Sequence, residues 1–227
     1  MKDVPFELPQ GLHIHTILAR EDARDAFVSN RYQSLQDLPD NAIVGTSSTR
    51  RSCQIHAARP DCDIQPLRGN VNTRLAKLDA GEYDAIILAS AGLKRLGFDQ
   101  RITSYLDTEV SLPAIGQGAI GIECRQNDAC TEALLTPLHD VRTARAITAE
   151  RRISTALSAN CHLPIAAHAT ESETQITLRA LVGSLDGKHI IRASQRGAIQ
   201  QMEHISQQVA DDLITKGALE LMAAIPD

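Results

Sequence analysis

Apolar runs alternate with helical patterns at short spacing in the first half of this 227-residue chain, and this alternation limits most strongly the folds open to it. It predicts, in order, a strand at Ala42–Gly45, a helix at Arg50–Ala58, a strand at Asp63–Leu67, a helix at Val71–Ala80 and a strand at Tyr83–Ala89. The last strand is a continuous apolar run, which is typical of a strand covered on both faces. Short β–α alternation indicates a parallel sheet with crossover helices.

Two arginine-rich loops join these elements, and both also contain glycine and side chains with hydroxyl groups. The first runs from Gly45 to Arg51 and the second from Leu67 to Arg74, and each lies where a strand ends and a helix begins. Helix N-termini present unpaired N–H groups, and arginine binds carboxylate or phosphate with two parallel hydrogen bonds. Since ligands of such sheets bind beyond the carboxyl ends of the strands, the loops predict a site for a ligand with several negative charges.

The rest of the chain has a different pattern. Polar segments at residues 20–25 and 113–118 are interpreted as two crossings between lobes. After a helix over about residues 141–157, alternating strands at Ile165–Thr170, Gln175–Val182 and His189–Ser194 precede a final amphipathic helix that ends near Gly217. Strands packed by helices in this way predict a small α+β domain.

Composition excludes several classes of function. The net charge is −5 and aromatic residues are only 3% of the chain, which argues against a basic or stacking surface for nucleic acid. No apolar stretch reaches membrane-spanning length and the start has no signal-peptide core, so we predict no membrane partner and a cytoplasmic location. Five cysteines without a pairing motif agree with a reducing compartment.

Short motifs along essentially the whole chain occur in the order of one known family. They are Met1–Pro5, Arg20–Asp22, Gly45–Ser48 with Arg50 and Arg51, Leu67–Val71 with Thr73 and Arg74, Ala91–Gly97, Leu112–Ala114, Gly116–Ala119, Ala149–Arg151, and Cys161 with Pro164 and Ile165. The ordered set resembles the porphobilinogen deaminases, the hydroxymethylbilane synthases of tetrapyrrole synthesis.

The resemblance implies an α/β fold of periplasmic-binding-protein-like lobes with a small C-terminal α+β domain. Residues 1–18 and 113–136 would be the remnant of the first lobe, residues 24–112 the second lobe, and residues 141–227 the C-terminal domain that carries the cofactor cysteine. Family chains begin well upstream of Met1, so we expect the first lobe to be incomplete.

The resemblance also implies a monomeric transferase whose substrate is porphobilinogen. Enzymes of this family condense four porphobilinogen molecules with loss of ammonia into the linear tetrapyrrole hydroxymethylbilane, on a covalent dipyrromethane primer. Because of the shortened first lobe, we expect this chain by itself to make little or no product.

Individual residues match the motif positions of the family. Cys161 matches the cysteine that attaches the dipyrromethane, although Ala159 and Asn160 stand where the family usually has two glycines. Asp3 matches the catalytic aspartate, in which one carboxylate can shuttle a proton and stabilise a cation. The other predicted cofactor-binding residues are Lys2, Ser48, Arg50, Arg51, Arg68 and Arg74.

Other interpretations stay open at this point. A non-enzymatic α/β module that holds a polycarboxylate or phosphate would need the arginines but no accessible cysteine in a loop. An inactive fragment that folds in part is a third possibility. His13 and His15 alternate along one strand, but without a third ligand in view we predict a surface strand and no metal site.

Overall fold

The structure is a computed structural model that describes residues 1–5, 8–158 and 163–225. The strands are β1 (Leu12–Ile17), β2 (Asp25–Val28), β3 (Ile43–Gly45), β4 (Asp63–Gln65), β5 (Ala85–Ala89), β6 (Ser104–Tyr105), β7 (Gly121–Arg125), β8 (Ile165–Glu171), β9 (Gln175–Gly183) and β10 (Ile190–Ala198). The helices are α1 (Thr49–Ala58), α2 (Val71–Asp79), α3 (Ser90–Arg95), α4 (Ala129–Leu135), α5 (Val141–Ala156), α6 (Met202–Thr215) and α7 (Ala218–Ala223).

A five-stranded sheet in the order β4-β3-β5-β2-β6 forms the α/β lobe. Strand β3 pairs in parallel with both β4 and β5, which confirms the parallel unit and the crossover helices α1 and α2 expected from the sequence. Strand β2, which follows the first crossing along the chain, pairs antiparallel with β5 and β6. Strand β2 was not among the predicted strands, because the polar stretch that ends at Asp25 was interpreted as a crossing segment only.

Side chains of this sheet alternate between two cores, as the pleat requires. Phe27, Val44 and Ile87 are fully buried in the core on one face, which α1 covers. Ile86 and Leu88 point to the other face and pack with side chains of α2 and α3. Burial on both faces explains the continuous apolar run of β5.

A separate two-stranded antiparallel sheet joins β1 to β7. Its register shifts between Ile14 and Thr16, so that His15 is the extra residue of a β-bulge. Strands β1 and β7 are far apart in sequence, and their pairing brings residues 121–125 back to the start of the chain. A small apolar cluster that includes Ile17 and Ile147 packs this sheet against α5.

The C-terminal part is an α+β domain, as predicted. Its antiparallel sheet has the order β10-β9-β8, and α5 and α6 cover one face of it. Ile153, Leu178 and Val209 are fully buried in the core between them. Gly217, at φ 92°, follows α6 in the left-handed conformation that favours glycine at a helix end.

The turn between β9 and β10 packs directly on α1 of the α/β lobe. A Cβ atom built on Gly183 would overlap Sγ of Cys53, and one built on Gly187 would overlap the carbonyl oxygen of Cys53. Gly187 also has a φ of 68°, which side chains of L residues rarely adopt. The close approach of the C-terminal domain to the α/β lobe therefore depends on Gly183 and Gly187.

We expect Gly187→Ala to lower the free energy of unfolding by about 2–4 kcal/mol, because left-handed strain adds to a steric overlap with the backbone. Gly81→Ala is the matched control, since Gly81 has a φ of 78° with open space around its Cα and should cost only about 1–2 kcal/mol. Urea denaturation of both variants measures the difference. Equal losses would contradict the packing of the turn on α1.

Within the described ranges, no helix combines the length and the apolar character needed to cross a membrane.

Candidate functional site

The N-terminus of α1 is rich in hydroxyl groups. Ser48 occupies the N-cap position in an extended conformation, and its side chain makes no capping hydrogen bond. Around it, a shallow cleft of about 280 Å³ opens between the ends of β3 and β4. Its lining residues are Thr46, Ser47, Thr49, Ser52, Ile64, Pro66 and Arg68. The cleft therefore lies at the carboxyl ends of two parallel strands, as the sequence predicted for a ligand site.

Arg50 and Arg51 turn inward from the first turn of α1 and share one buried carboxylate. Arg50 donates from Nη1 and Nη2 to the two oxygens of Asp25 at 2.8 and 3.1 Å. Arg51 donates from Nε to Oδ1 of Asp25 at 2.9 Å. All three residues are buried, and the Asp25 side chain is inaccessible to solvent. Two guanidinium groups around one carboxylate leave a net positive charge in the interior.

Two neutral side chains complete the surroundings of Asp25. Ser111 Oγ donates to Oδ2 at 2.7 Å, and Gln117 Nε2 donates to Oδ1 at 2.9 Å. Burial alone would raise the pKa of Asp25, but the charges of Arg50 and Arg51 outweigh burial and hold this pKa well below its usual range. The carboxylate is therefore ionised at neutral pH.

The cluster nevertheless leaves one donor without an acceptor. Among the described residues, Nε of Arg50 is buried and has no hydrogen-bond partner. A buried N–H of a cation is costly to leave unpaired. Asp25 balances only one of the two guanidinium charges, so the cluster keeps a net positive charge.

The second arginine loop supplies two further cations. Arg68 is exposed and lines the cleft, whereas Arg74 is partly buried and donates from Nε to the carbonyl of Gly69 at 2.7 Å. Burial and the nearby charge of Arg51 both lower the pKa of Arg74. This effect of one charge on the other indicates that the two loops bring like charges close together.

Asp3 and Lys2 lie on the N-terminal segment and form an ion pair of 3.4 Å. The Asp3 side chain is 83% exposed, and in the described part of the chain Lys2 is its only ion-pair partner. The segment itself is held in place, because the Met1 ammonium donates to the carbonyl of Ala119 at 2.7 Å and Arg151 donates to the carbonyls of Val4 and Pro5. The structure thus places Asp3 beside the second crossing, on the surface.

Cys161, the cysteine predicted to carry the cofactor, lies outside the described residues, together with Ala159 and Asn160. The described chain leads up to it through α5 and Ser158, which has a φ of 48°. It continues from Leu163 into β8. The role of Cys161 stays a prediction.

Arg20 and Glu150 lie within the family motifs but were not among the predicted site residues. The structure pairs them, with Arg20 Nη1 and Nη2 donating to the two oxygens of Glu150 at 2.6 and 3.2 Å. The same carboxylate accepts hydrogen bonds from the backbone N–H groups of Gly116 at 2.7 Å and Ala169 at 2.8 Å. Glu150 therefore ties both crossings to the C-terminal sheet. Because 130 residues separate the pair, no local pattern indicates it.

Family models match most of the chain. The model of the porphobilinogen deaminase dipyrromethane cofactor-binding domain matches residues 1–133. The model of the porphobilinogen deaminase C-terminal domain matches residues 144–215. The first match covers the α/β part of the chain, and the second lies within the C-terminal α+β domain.

Solved structures that are similar to the chain are distant. A Bacillus subtilis lipoprotein described as methionine-binding has a TM-score of 0.40 at 12% identity, with 59% of this chain and 63% of that chain covered. A YaeC-family lipoprotein of Enterococcus faecalis has a TM-score of 0.38 at 19% identity, with 58% and 63% covered. The VFT2 domain of Bordetella pertussis BvgS has a TM-score of 0.36 at 16% identity, with 62% and 60% covered. The chain thus spans less than two thirds of each, and likeness at this level does not bear on the site.

Proposed function

Because the chain belongs to the porphobilinogen deaminase family, we propose that it functions in tetrapyrrole assembly as a transferase that joins four porphobilinogen molecules into hydroxymethylbilane. The observation that carries this proposal is the cleft at the carboxyl ends of β3 and β4, where Arg68 and the hydroxyl groups of Thr46, Ser47 and Thr49 lie beside the N-terminus of α1. A growing pyrrole chain with acetate and propionate arms is an anion of the kind that such a set of donors binds.

The residues present fit a dipyrromethane cofactor. Its side arms are carboxylates, and the cleft offers the hydroxyl groups of Thr46, Ser47 and Thr49, the guanidinium group of Arg68 and the N-terminus of α1. Ser48 and Arg74 lie on the same two loops, and a carboxylate bound near Arg51 and Arg74 would offset the repulsion between their charges. When bound through Cys161, the cofactor supplies the pyrrole carbon to which the first substrate is joined.

We assign the protein's own groups as follows. Arg50 and Arg51, fixed by Asp25, orient carboxylate arms, and Arg68 and Arg74 bind further arms at the mouth of the cleft. Asp3 holds the proton that the departing amine of porphobilinogen takes up, and its carboxylate stabilises the positive charge that develops on the substrate. Lys2 adjoins Asp3 and holds a cofactor carboxylate.

The domain organisation that we propose keeps the predicted limits. Residues 24–112 form the lobe that carries the arginine loops, residues 1–18 and 113–136 belong to the first lobe, and residues 141–227 form the domain of Cys161. We further propose that the protein is a cytoplasmic monomer and that it binds neither nucleic acid nor membrane.

Intact mass of the purified 227-residue chain tests this assignment. We expect the mass of one dipyrromethane in addition to that of the polypeptide, and we expect Cys161→Ser to lose this addition completely. Cys53→Ser is the matched control, because the Cys53 thiol is buried against the β9–β10 turn and should not affect attachment.

Two results would contradict the proposal. If the added mass persists in Cys161→Ser, the cofactor is attached to another residue. Unmodified polypeptide that also stays unmodified after incubation with porphobilinogen, yet binds a polycarboxylate, would favour a binding module without chemistry.

A further inference from the structure

Four side chains with metal-binding atoms meet at the edge of the β1–β7 sheet, outside the arginine loops. They are His13 and His15 of β1, Cys124 of β7 and Glu132 of α4, and one ligand atom from each lies within 4.8 Å of all the others. Only the two histidines are close together in the sequence. The other two members come from more than a hundred residues later in the chain, brought back by the pairing of β7 with β1.

Strand pairing and the bulge assemble the cluster. His13 lies directly opposite Cys124 in the antiparallel register. His15 is the extra residue of the bulge, which re-aims its side chain relative to a regular strand. Its ring lies edge-on to that of His13, with centroids 5.6 Å apart. Helix α4, capped by Asp128 through the N–H of Thr131 at 3.2 Å, then brings Glu132 against both strands.

The distances around His13 are longer than hydrogen bonds but suit a shared central atom. Nε2 of His13 lies 3.5 Å from Glu132 Oε1 and 4.0 Å from Cys124 Sγ. Two ligands of a tetrahedral zinc ion lie about 3.4 Å apart for N and O and about 3.6 Å for N and S, given the usual zinc–ligand bond lengths. Within the described chain, Nδ1 of His13 is buried without a hydrogen-bond partner, so the polar contacts of this ring are those of Nε2 with Glu132 and Cys124.

Hydrogen bonds around His15 leave one ring nitrogen available as a ligand. The Thr136 hydroxyl donates to the carbonyl of Glu132 at 2.8 Å, and it lies 3.2 Å from Nε2 of His15. With its proton committed to that carbonyl, the hydroxyl accepts from Nε2, which leaves the lone pair on Nδ1. Such an outer partner is the usual means of fixing the tautomer of a metal-binding histidine.

We propose that His13, His15, Cys124 and Glu132 bind a zinc ion. Two imidazoles, a thiolate and a carboxylate form a donor set that suits zinc and is too soft for magnesium or calcium. Four protein ligands close the coordination sphere, which is the arrangement of a structural rather than a catalytic zinc. The ion would join β1, β7 and α4, and it takes no part in pyrrole chemistry.

Zinc titration of the reduced, metal-stripped 227-residue protein tests the proposal. We expect one equivalent to bind and to raise the thermal midpoint of unfolding, and cobalt in its place to give a thiolate charge-transfer band and the intense visible bands of a tetrahedral ion. Cys124→Ser should weaken zinc binding more than 100-fold and abolish that band, because loss of even an outer partner typically costs about 10–100-fold. Cys130→Ser is the matched control, because Cys130 is an exposed thiol on α4, the helix of Glu132, and its replacement should change neither zinc binding nor the band.

A second variant covers the case in which Cys124→Ser fails to fold. Glu132→Gln alters a partly exposed side chain, and we expect it to keep the far-ultraviolet circular dichroism of the metal-free protein while weakening zinc binding. Equal zinc binding by the parent protein and Glu132→Gln would overturn the proposed ligand set. So would a charge-transfer band that survives in Cys124→Ser, or a parent protein that binds less than one equivalent of zinc.

Discussion

Asp25→Ala is expected to lower the free energy of unfolding by about 3–5 kcal/mol, since removal of one partner from a buried ion cluster leaves the other charges without compensation. Asp25 is the only carboxylate that Arg50 and Arg51 contact in the described chain, and both arginines are buried. Without it, two guanidinium groups would face each other in the interior. We expect the α/β lobe to unfold before the rest of the chain in this variant.

Asp79→Ala is the matched control, because Asp79 forms a carboxylate–arginine ion pair of the same kind at the surface. Asp79 accepts from Arg101 at 2.6 Å, but its side chain is 49% exposed, so its loss should cost at most about 1 kcal/mol. Urea denaturation followed by circular dichroism compares the two variants. A loss for Asp25→Ala as small as that for Asp79→Ala would show that the cluster is not closed to water.

Glu150→Ala is expected to have an effect of similar size, about 3–5 kcal/mol, for a related reason. The variant removes the acceptor of the Arg20 guanidinium and of the backbone N–H groups of Gly116 and Ala169, all at a carboxylate that is inaccessible to solvent. Because these donors come from both crossings and from the C-terminal sheet, we also expect the unfolding transition to lose cooperativity and its slope against urea to fall.

The matched control for Glu150 is Glu203→Ala. Glu203 pairs with Arg152, which is also on α5, but the Glu203 side chain is 72% exposed. Its loss should leave the unfolding transition almost unchanged. Replacement of both Arg20 and Glu150 by methionine should recover much of the stability lost in Glu150→Ala, since a buried pair can be exchanged for apolar side chains at little cost. No recovery would argue against direct pairing as the cause.

Local patterns predicted most of the regular structure. The β3–α1–β4–α2–β5 unit and the three strands of the C-terminal sheet follow from periodicity over a few residues, and the structure confirms them apart from one or two residues at most ends. Strand β2 was missed because its four residues begin with Asp25, a charge that normally indicates a surface. The ion pairs with Arg50 and Arg51, together with hydrogen bonds from Ser111 and Gln117, explain the burial of Asp25.

The parts of the candidate sites that sequence could not predict all depend on long-range contacts. The arginine loops were predicted from their composition. The orientation of the Arg50 and Arg51 side chains towards Asp25 could not be predicted, because it depends on the order of the strands in the sheet. Likewise, His13 and His15 could be read from one strand, whereas Cys124 lies across a strand pair. Residue types indicate which chemistry is available, and the topology decides which groups meet.

The packing of Cys53 between α1 and the β9–β10 turn provides a chemical reporter of motion between the two units. Burial raises the pKa of this thiol to about 11, so in the closed protein it is both shielded and protonated. Alkylation of Cys53 under native conditions then requires α1 to separate from Gly183 and Gly187. The rate of that reaction, followed by peptide mass at several pH values, therefore measures how often the α/β lobe and the C-terminal domain come apart without global unfolding.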